Sequence, residues 1–274
     1  MDSKYLLSIA AVAVVAILLC TYALAPHQDQ KDDNTELIGI IGAMEVEVEK
    51  IREAMDVQEK RTISGMDYYI GTLDNQRVVL TQCGMGKVNA GICAQAMITC
   101  LGVTVVINTG ASGSLDNSQN IGDFVVSSEV IQHDFDATPL GFAKGEVPYT
   151  GKYAFDADKT LIEKAKRAIE VCIPEVKCTV GRICTGDQFI STNEQKDRII
   201  SDYGGLCCEM EGGAVGYVCY VNKVPFVIIR AISDKADGSD MMDYPEFERL
   251  ASYRCAKIVN YMLTNWEALT SEDV

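Results

Sequence analysis

From Leu37 onward the sequence predicts a three-layer α/β domain built around a mostly parallel sheet. Three observations carry that expectation. Strand-like runs rich in Val and Ile alternate with helix-like stretches along the whole segment. The run Val224–Ile232 is too continuously apolar for a half-exposed strand and fits one buried on both faces. Leu37–Glu47, LIGIIGAMEVE, places a short apolar run, a tight turn and then acidic residues in succession. A buried strand there would deliver Glu45 and Glu47 to its carboxyl end, where open α/β sheets bind ligands.

The elements follow in order. Tyr5–Ala25 is uncharged and about 20 apolar residues suffice to span a bilayer, so an N-terminal hydrophobic helix is expected before the domain. Lys4 precedes it and Asp29, Asp32 and Asp33 follow, which orients an anchor with the domain outside the cytoplasm. Ala23-Leu24-Ala25 would serve a signal peptidase, but Pro26 is a poor neighbour for cleavage. The expected organisation is residues 1–25 as anchor or signal segment, 26–36 as polar linker and 37–274 as the catalytic domain. The domain would be membrane-anchored or exported, with a cytoplasmic location as the alternative. Strands are expected at Leu37–Gly42, Asp67–Leu73, Arg77–Cys83, Thr104–Thr109, Asp123–Ile131, Lys177–Thr185 and Pro225–Ser233. Helices are expected at Glu45–Met55, Lys87–Cys100, Lys159–Val171, Glu211–Tyr220 and Pro245–Leu263, the last with Phe247, Leu250, Ala251, Cys255, Ile258 and Met262 on one face. Pro139–Asp156 reads as a long surface loop.

Composition narrows the function. The 274-residue chain carries a formal charge of −15 and no run of Lys or Arg, which excludes nucleic-acid polymers but not nucleosides lacking phosphate. Eleven cysteines form no C-x-x-C pair and are accompanied by two histidines, so no metal site is expected. Most of the cysteines sit inside apolar runs, as reduced core thiols do.

Five segments place polar groups at strand ends or helix starts: Gly42–Glu47, Asn108–Gly113, Thr185–Ile190, Cys208–Gly213 and Arg230–Asp234. In a parallel sheet these ends converge on one crevice. Taken singly, each has an ordinary structural reading. Glu45 and Glu47 are also first-turn helix acids, Glu211 an N-terminal helix acid, Asp234 a turn cap, and His133 a satisfied structural histidine.

Taken in order, GIIGAMEVEV, CGMGKVNAG, NTGASGSL, IGDFVVSSEV, HDFDATPLG, TGDQFI, CEMEGGAV and VPFVIIRAISDKAD resemble the 5′-methylthioadenosine/S-adenosylhomocysteine nucleosidases of the purine nucleoside phosphorylase-like superfamily. The likeness runs from about Ile38 to Leu263. It implies a three-layer αβα fold with a twisted mixed sheet, a homodimer, thioadenosine nucleosides as substrates, no cofactor, and hydrolysis to adenine and a 5-thioribose. By motif position it makes Glu47 the base that activates water and Asp234 the acid that protonates adenine N7. Glu211 would bind the ribose hydroxyls, Met210 lie against the sugar, Phe189 stack on adenine and Ile190 recognise it through its backbone. Ser112 and Gly113 would lie near the ribosyl centre, and Met44 and Met85 would line the pocket. Ser233 and Arg230 look supportive. Tyr244 would meet the 5′-thio group, and Ala137, Leu140 and Pro148 would complete the neighbouring subunit's 5′ pocket. Ala111, Ala137 and Leu140 depart from the family's usual residues, as does the membrane-type N-terminus. The chemistry is the two-carboxylate logic of glycoside hydrolysis applied to a nitrogen leaving group. The alternatives are a purine nucleoside phosphorylase, a hydrolase of a quinone-precursor nucleoside, and a membrane-tethered nucleoside-binding protein without catalysis.

Overall fold

A computed structural model of the chain describes residues 36–239 and 244–270. Tyr5–Ala25 and the linker therefore lie outside the described residues. Ten strands form one sheet: β1 (Leu37–Gly42), β2 (Asp56–Ile63), β3 (Met66–Leu73), β4 (Gln76–Gln82), β5 (Val105–Ser114), β6 (Phe124–Gln132), β7 (Ala154–Asp156), β8 (Cys178–Thr185), β9 (Cys207–Glu209) and β10 (Phe226–Asp234). Six helices accompany them: α1 (Glu45–Ala54), α2 (Lys87–Leu101), α3 (Lys159–Cys172), α4 (Asn193–Tyr203), α5 (Gly212–Asn222) and α6 (Tyr244–Thr264). Helices α1 and α3 pack against α6, while α2 packs against α5, so two helical groups flank the sheet.

The sheet is mixed rather than mostly parallel. The pairings β1–β4, β1–β5, β5–β10, β6–β8 and β8–β9 are parallel, and β2–β3, β3–β4, β5–β9, β6–β7 and β6–β10 are antiparallel. Two of the antiparallel pairings, β3–β4 and β6–β10, join expected strands, and the other three involve elements the sequence pattern hid. Asp56–Ile63 is DVQEKRTI, almost wholly exposed, and shows no alternation that marks a strand. It joins β3 as an edge strand. β7 and β9 have three residues each, too few to show a period.

β5, β10, β6, β8 and β9 close on themselves: β5 pairs with both β9 and β10, β10 with β6, β6 with β8, and β8 with β9. All nine residues of β10 are buried, as the continuous apolar run required. Local chemistry sets the helix ends. Asp158 Oδ1 accepts from Leu161 N at the start of α3 (3.0 Å), and Thr192 Oγ1 accepts from Gln195 N at the start of α4 (3.3 Å). Helix α4 reads NEQKDRIISDY, buries few of its side chains, and falls outside the expected helices for that reason. All ten described cysteines are free, and seven of them are buried.

Candidate active site

Glu47 is the third residue of α1, and its carboxylate is turned back under the start of its own helix. Oε2 accepts from Ala43 N (2.7 Å) and Met44 N (3.0 Å), closing two amides that an α-helix leaves unpaired. Oε1 reaches across to β5 and accepts from Ala111 N (3.1 Å). The side chain is buried. That burial raises its pKa, against the opposing pull of Arg230 and the three N–H groups. Glu45, two residues earlier, instead pairs with Arg52 in solvent. The neighbouring acids thus divide into a surface helix acid and a buried one.

Arg230 on β10 is the counter-charge, and it is fully buried. One guanidinium nitrogen donates to Asn108 Oδ1 (2.7 Å) and to Glu209 Oε2, and lies 3.3 Å from Glu211 Oε2. Asn108 in turn donates to Ile41 O (2.9 Å), so one amide ties β1, β5 and β10. Burial opposes the charge on Arg230, but Glu209, Glu211 and Glu47 outweigh it and raise its pKa. Glu209 ends β9. Its Oε2 also accepts from Glu211 N (3.0 Å) and Gly212 N (2.7 Å) at the start of α5, and its Oε1 accepts from Thr185 Oγ1. Glu211 Oε1 accepts from Gly86 N (3.0 Å) at the start of α2. Burial, offset in part by Arg230, pushes Glu211 up to about 7. Gly110 lies where no side chain fits. A Cβ there would press on both Arg230 Nη1 and the Glu47 carboxylate.

Asp234 ends β10. Its Oδ1 accepts from Ala236 N (2.8 Å), and its Oδ2 lies 2.9 Å from Ser233 Oγ. Ser233 Oγ is also 3.2 Å from Ser112 O. A hydroxyl has one proton. It donates to the Ser112 carbonyl when Asp234 carries a proton, and to Asp234 when Asp234 is ionised. Gly113 is required beside it, because a Cβ would stand 2.8 Å from Asp234 Oδ1.

These groups border one open cleft, with about 550 Å³ of space that includes open solvent. Glu47 and Asp234 both line it, together with Glu211 and Arg230. Met44, Met85 and Met210 line it too, as do Ser112, Gly113 and Ser233, and the turn bearing Phe189 and Ile190. Ala43, Gln188, Cys208 and Glu209 also line it, although the sequence had not singled them out, and so does Ala111, noted in the sequence only as a departure from the family. Glu209 had a signal, a second carboxylate at a strand end two residues before Glu211. Three expected residues, those assigned to a neighbouring subunit's pocket, do not line this chain's own cleft. Ala137 is buried, Leu140 is 78% exposed and Pro148 is half-buried, and none of them lines this cleft. Tyr244 begins α6, and its side chain lies outside the described residues. His133 sits in a separate cleft, where burial lowers its pKa.

The family model described as the phosphorylase superfamily matches residues 37–264. A 5′-methylthioadenosine/S-adenosylhomocysteine nucleosidase of Staphylococcus carnosus is 40% identical over 228 residues, covering 83% of this chain and 99% of that protein. The crystal structure of the nucleosidase of that name from Neisseria meningitidis, in complex with methylthio-immucillin-A, superposes with a TM-score of 0.80 at 35% identity, covering 84% of this chain and 99% of that one. The Colwellia psychrerythraea nucleosidase, in complex with adenine, also has a TM-score of 0.80 at 35% identity, covering 84% of this chain and 95% of the other.

One expectation is corrected by these findings. The anchored or exported location rested on Tyr5–Ala25 alone. The matched domain makes up 99% of the Staphylococcus relative, which has no counterpart of that segment, and among the described residues no helix is long and apolar enough to cross a membrane. Hydrophobicity of one segment was a poor guide to where the domain works. In fold, in the order of its motifs and along nearly the whole length of its relatives, the chain belongs to the phosphorylase superfamily and, within it, to the family of the 5′-methylthioadenosine/S-adenosylhomocysteine nucleosidases.

Proposed function

We propose that residues 37–274 hydrolyse the N-glycosidic bond of 5′-methylthioadenosine and S-adenosylhomocysteine, releasing adenine and the 5-thioribose product. The observation that carries this reading is that Glu47 and Asp234, 187 positions apart by their numbers, border the same cleft with Glu211 and Arg230. Breaking the C1′–N9 bond puts positive charge on the sugar and negative charge on the purine. Asp234 gives a proton to N7, and Ser233 turns its own hydroxyl from Ser112 O to the newly formed carboxylate. Glu47, aimed by the amides of Ala43, Met44 and Ala111, takes the proton of the attacking water. Each such group contributes roughly 10²–10⁴-fold. Glu211 holds the ribose hydroxyls, with Met210 against the sugar, while Phe189 covers the adenine and the backbone of Ile190 reads it.

A phosphorolytic reaction needs a cationic site for a dianion beside C1′. Among the described residues Arg230 is the one cation lining the cleft, it is already held by Glu209, Glu211 and Asn108, and Glu47 stands beside it. The charge balance therefore favours water as the nucleophile. Adenine release from methylthioadenosine in phosphate-free buffer tests the reading; strict dependence on added phosphate would overturn it.

The homodimer belongs to the same proposal. Val88 (72% exposed) and Ile92 (43%) lie one turn apart on α2, next to Met85 (61%) at the mouth of the cleft. They form apolar surface that a second copy would cover. Ala137, Leu140, Pro148 and Tyr244 would then finish the 5′ end of the pocket across and beside that interface. Sedimentation at micromolar concentration should return twice the chain mass; a monomer that is fully active would remove this part of the reading.

A further inference from the structure

The proposed reaction leaves one hydrogen-bonded cluster at the mouth of the cleft without a part. Lys87, the first residue of α2, donates its backbone N–H to Asp187 Oδ1 (2.7 Å). Asp187 donates its own N–H to Asp134 Oδ2 (2.8 Å). Asp134 Oδ1 accepts from the Lys87 ammonium, which closes the circuit. Lys87 gives two of these hydrogen bonds, Asp134 takes two, and Asp187 gives one and takes one. The three residues come from the start of α2, the end of β6 and the turn after β8, with separations of 47, 53 and 100 positions. The Lys87 and Asp134 side chains are only 15% and 19% exposed. Burial alone would raise the pKa of Asp134; the Lys87 ammonium and the Asp187 N–H overcome it and bring the carboxyl below its ordinary value.

What adjoins this clasp gives it meaning. The residue before Lys87 is Gly86, whose N–H holds Glu211 Oε1 (3.0 Å). Gly86 has a φ of +96°, and a Cβ on it would come 3.1 Å from Asp187 Oδ1, so the close seat of the two turns also demands glycine there. Two residues after Asp187 is Phe189. Both turns are open to solvent, with Met85 61% and Phe189 44% exposed, so their separation is not fixed by a packed core.

We propose that Lys87 and Asp134 are positioning residues, whose clasp fixes the distance between the carboxylate that holds the ribose and the turn that holds the adenine. This rests on the nucleosidase reading. A nucleoside has to engage both ends at a spacing set by its own covalent bonds, and a loose frame loses the advantage of a preset geometry. Adenine alone touches one side of the clasp and does not need the spacing.

The test compares Lys87→Met, Asp134→Asn and the double variant with the unmodified chain, in phosphate-free buffer. KM for methylthioadenosine should rise about tenfold in each single variant, and no further in the double, as expected for two partners of one interaction. Inhibition by free adenine should stay within about twofold, kcat within about threefold, and the thermal midpoint close to that of the unmodified chain. Lys87→Arg should restore most of the KM. An unchanged KM in both single variants overturns the proposal. So does a parallel loss of adenine and nucleoside affinity, or a rise in KM that merely tracks a falling thermal midpoint. If the unmodified chain releases no adenine from methylthioadenosine, the nucleosidase reading fails instead, before the variants are compared.

Discussion

Gly110→Ala tests how tightly the charged groups of the cleft are seated. A Cβ at Gly110 would stand 2.9 Å from Glu47 Cδ and closer still to Glu47 Oε1 and Arg230 Nη1, where ordinary contact is 3.4–4 Å. Restoring contact distance requires Glu47 or Arg230 to move by roughly 1 Å. Neither is the loose end of a flexible side chain. Glu47 is held by three backbone amides, and Arg230 by Asn108, Glu209 and Glu211. Overpacking of this kind costs about 1–3 kcal/mol in stability. A 1 Å misplacement of a reacting group costs about 10²-fold in rate. The expected variant is therefore folded, melts several degrees lower and releases adenine about a hundredfold more slowly, read by the absorbance change on nucleoside cleavage and by a thermal melt. Gly91→Ala is the control. Its Cβ meets nothing within 4 Å in its own chain, so in α2 it should gain about 0.5–1 kcal/mol of stability rather than lose any. Activity of Gly110→Ala within threefold of the unmodified chain would refute the claim that Glu47 and Arg230 are fixed where they stand.

Three further outcomes are expected. Arg230→Met leaves Glu47, Glu209 and Glu211 facing one another without their cation and should destabilise the fold by about 3–5 kcal/mol, measured by urea unfolding; a loss under 1 kcal/mol would contradict the burial of the cluster. Asp234→Asn keeps the shape of the turn but has no proton to give to N7, so kcat should fall at least about 10²-fold with the melt little changed, and near-normal adenine release would reassign the acid. Glu47 and Glu211 have pKa values above the ordinary 4.5 in the folded chain, Glu211 at about 7, so the folded state keeps protons that the unfolded chain has released. The Glu211 contribution to stability is full below 4.5 and is lost as pH rises through about 7; the melting midpoint should fall between pH 5 and 8, and Glu211→Gln should flatten that fall.

Much of the domain was legible because its signals are local and redundant. β1 and β10 are continuous apolar runs, and α6 carries one apolar face at helical spacing. The cleft was legible through its motifs, since polar residues placed directly after such runs have one place to go in a parallel arrangement. The ordinary readings of Glu47 and Glu211 were also partly right. Glu47 does close the start of its own helix, and that same tethering aims it at the cleft. What stayed hidden depends on partners distant in sequence. β2 is polar on both faces and is held only by pairing with β3. β9 is three residues long, and its pairing with β5 makes Glu209 a neighbour of Arg230. Tyr5–Ala25 shows the opposite failure, a strong local signal in a segment with no counterpart in the Staphylococcus relative.

The closed circuit of β5, β10, β6, β8 and β9 has a kinetic consequence. A strand bonded on both sides cannot peel away without its neighbours, so amides such as those of Ile107 and Ile229 exchange their hydrogens only when the whole domain unfolds. The floor of the cleft therefore does not breathe.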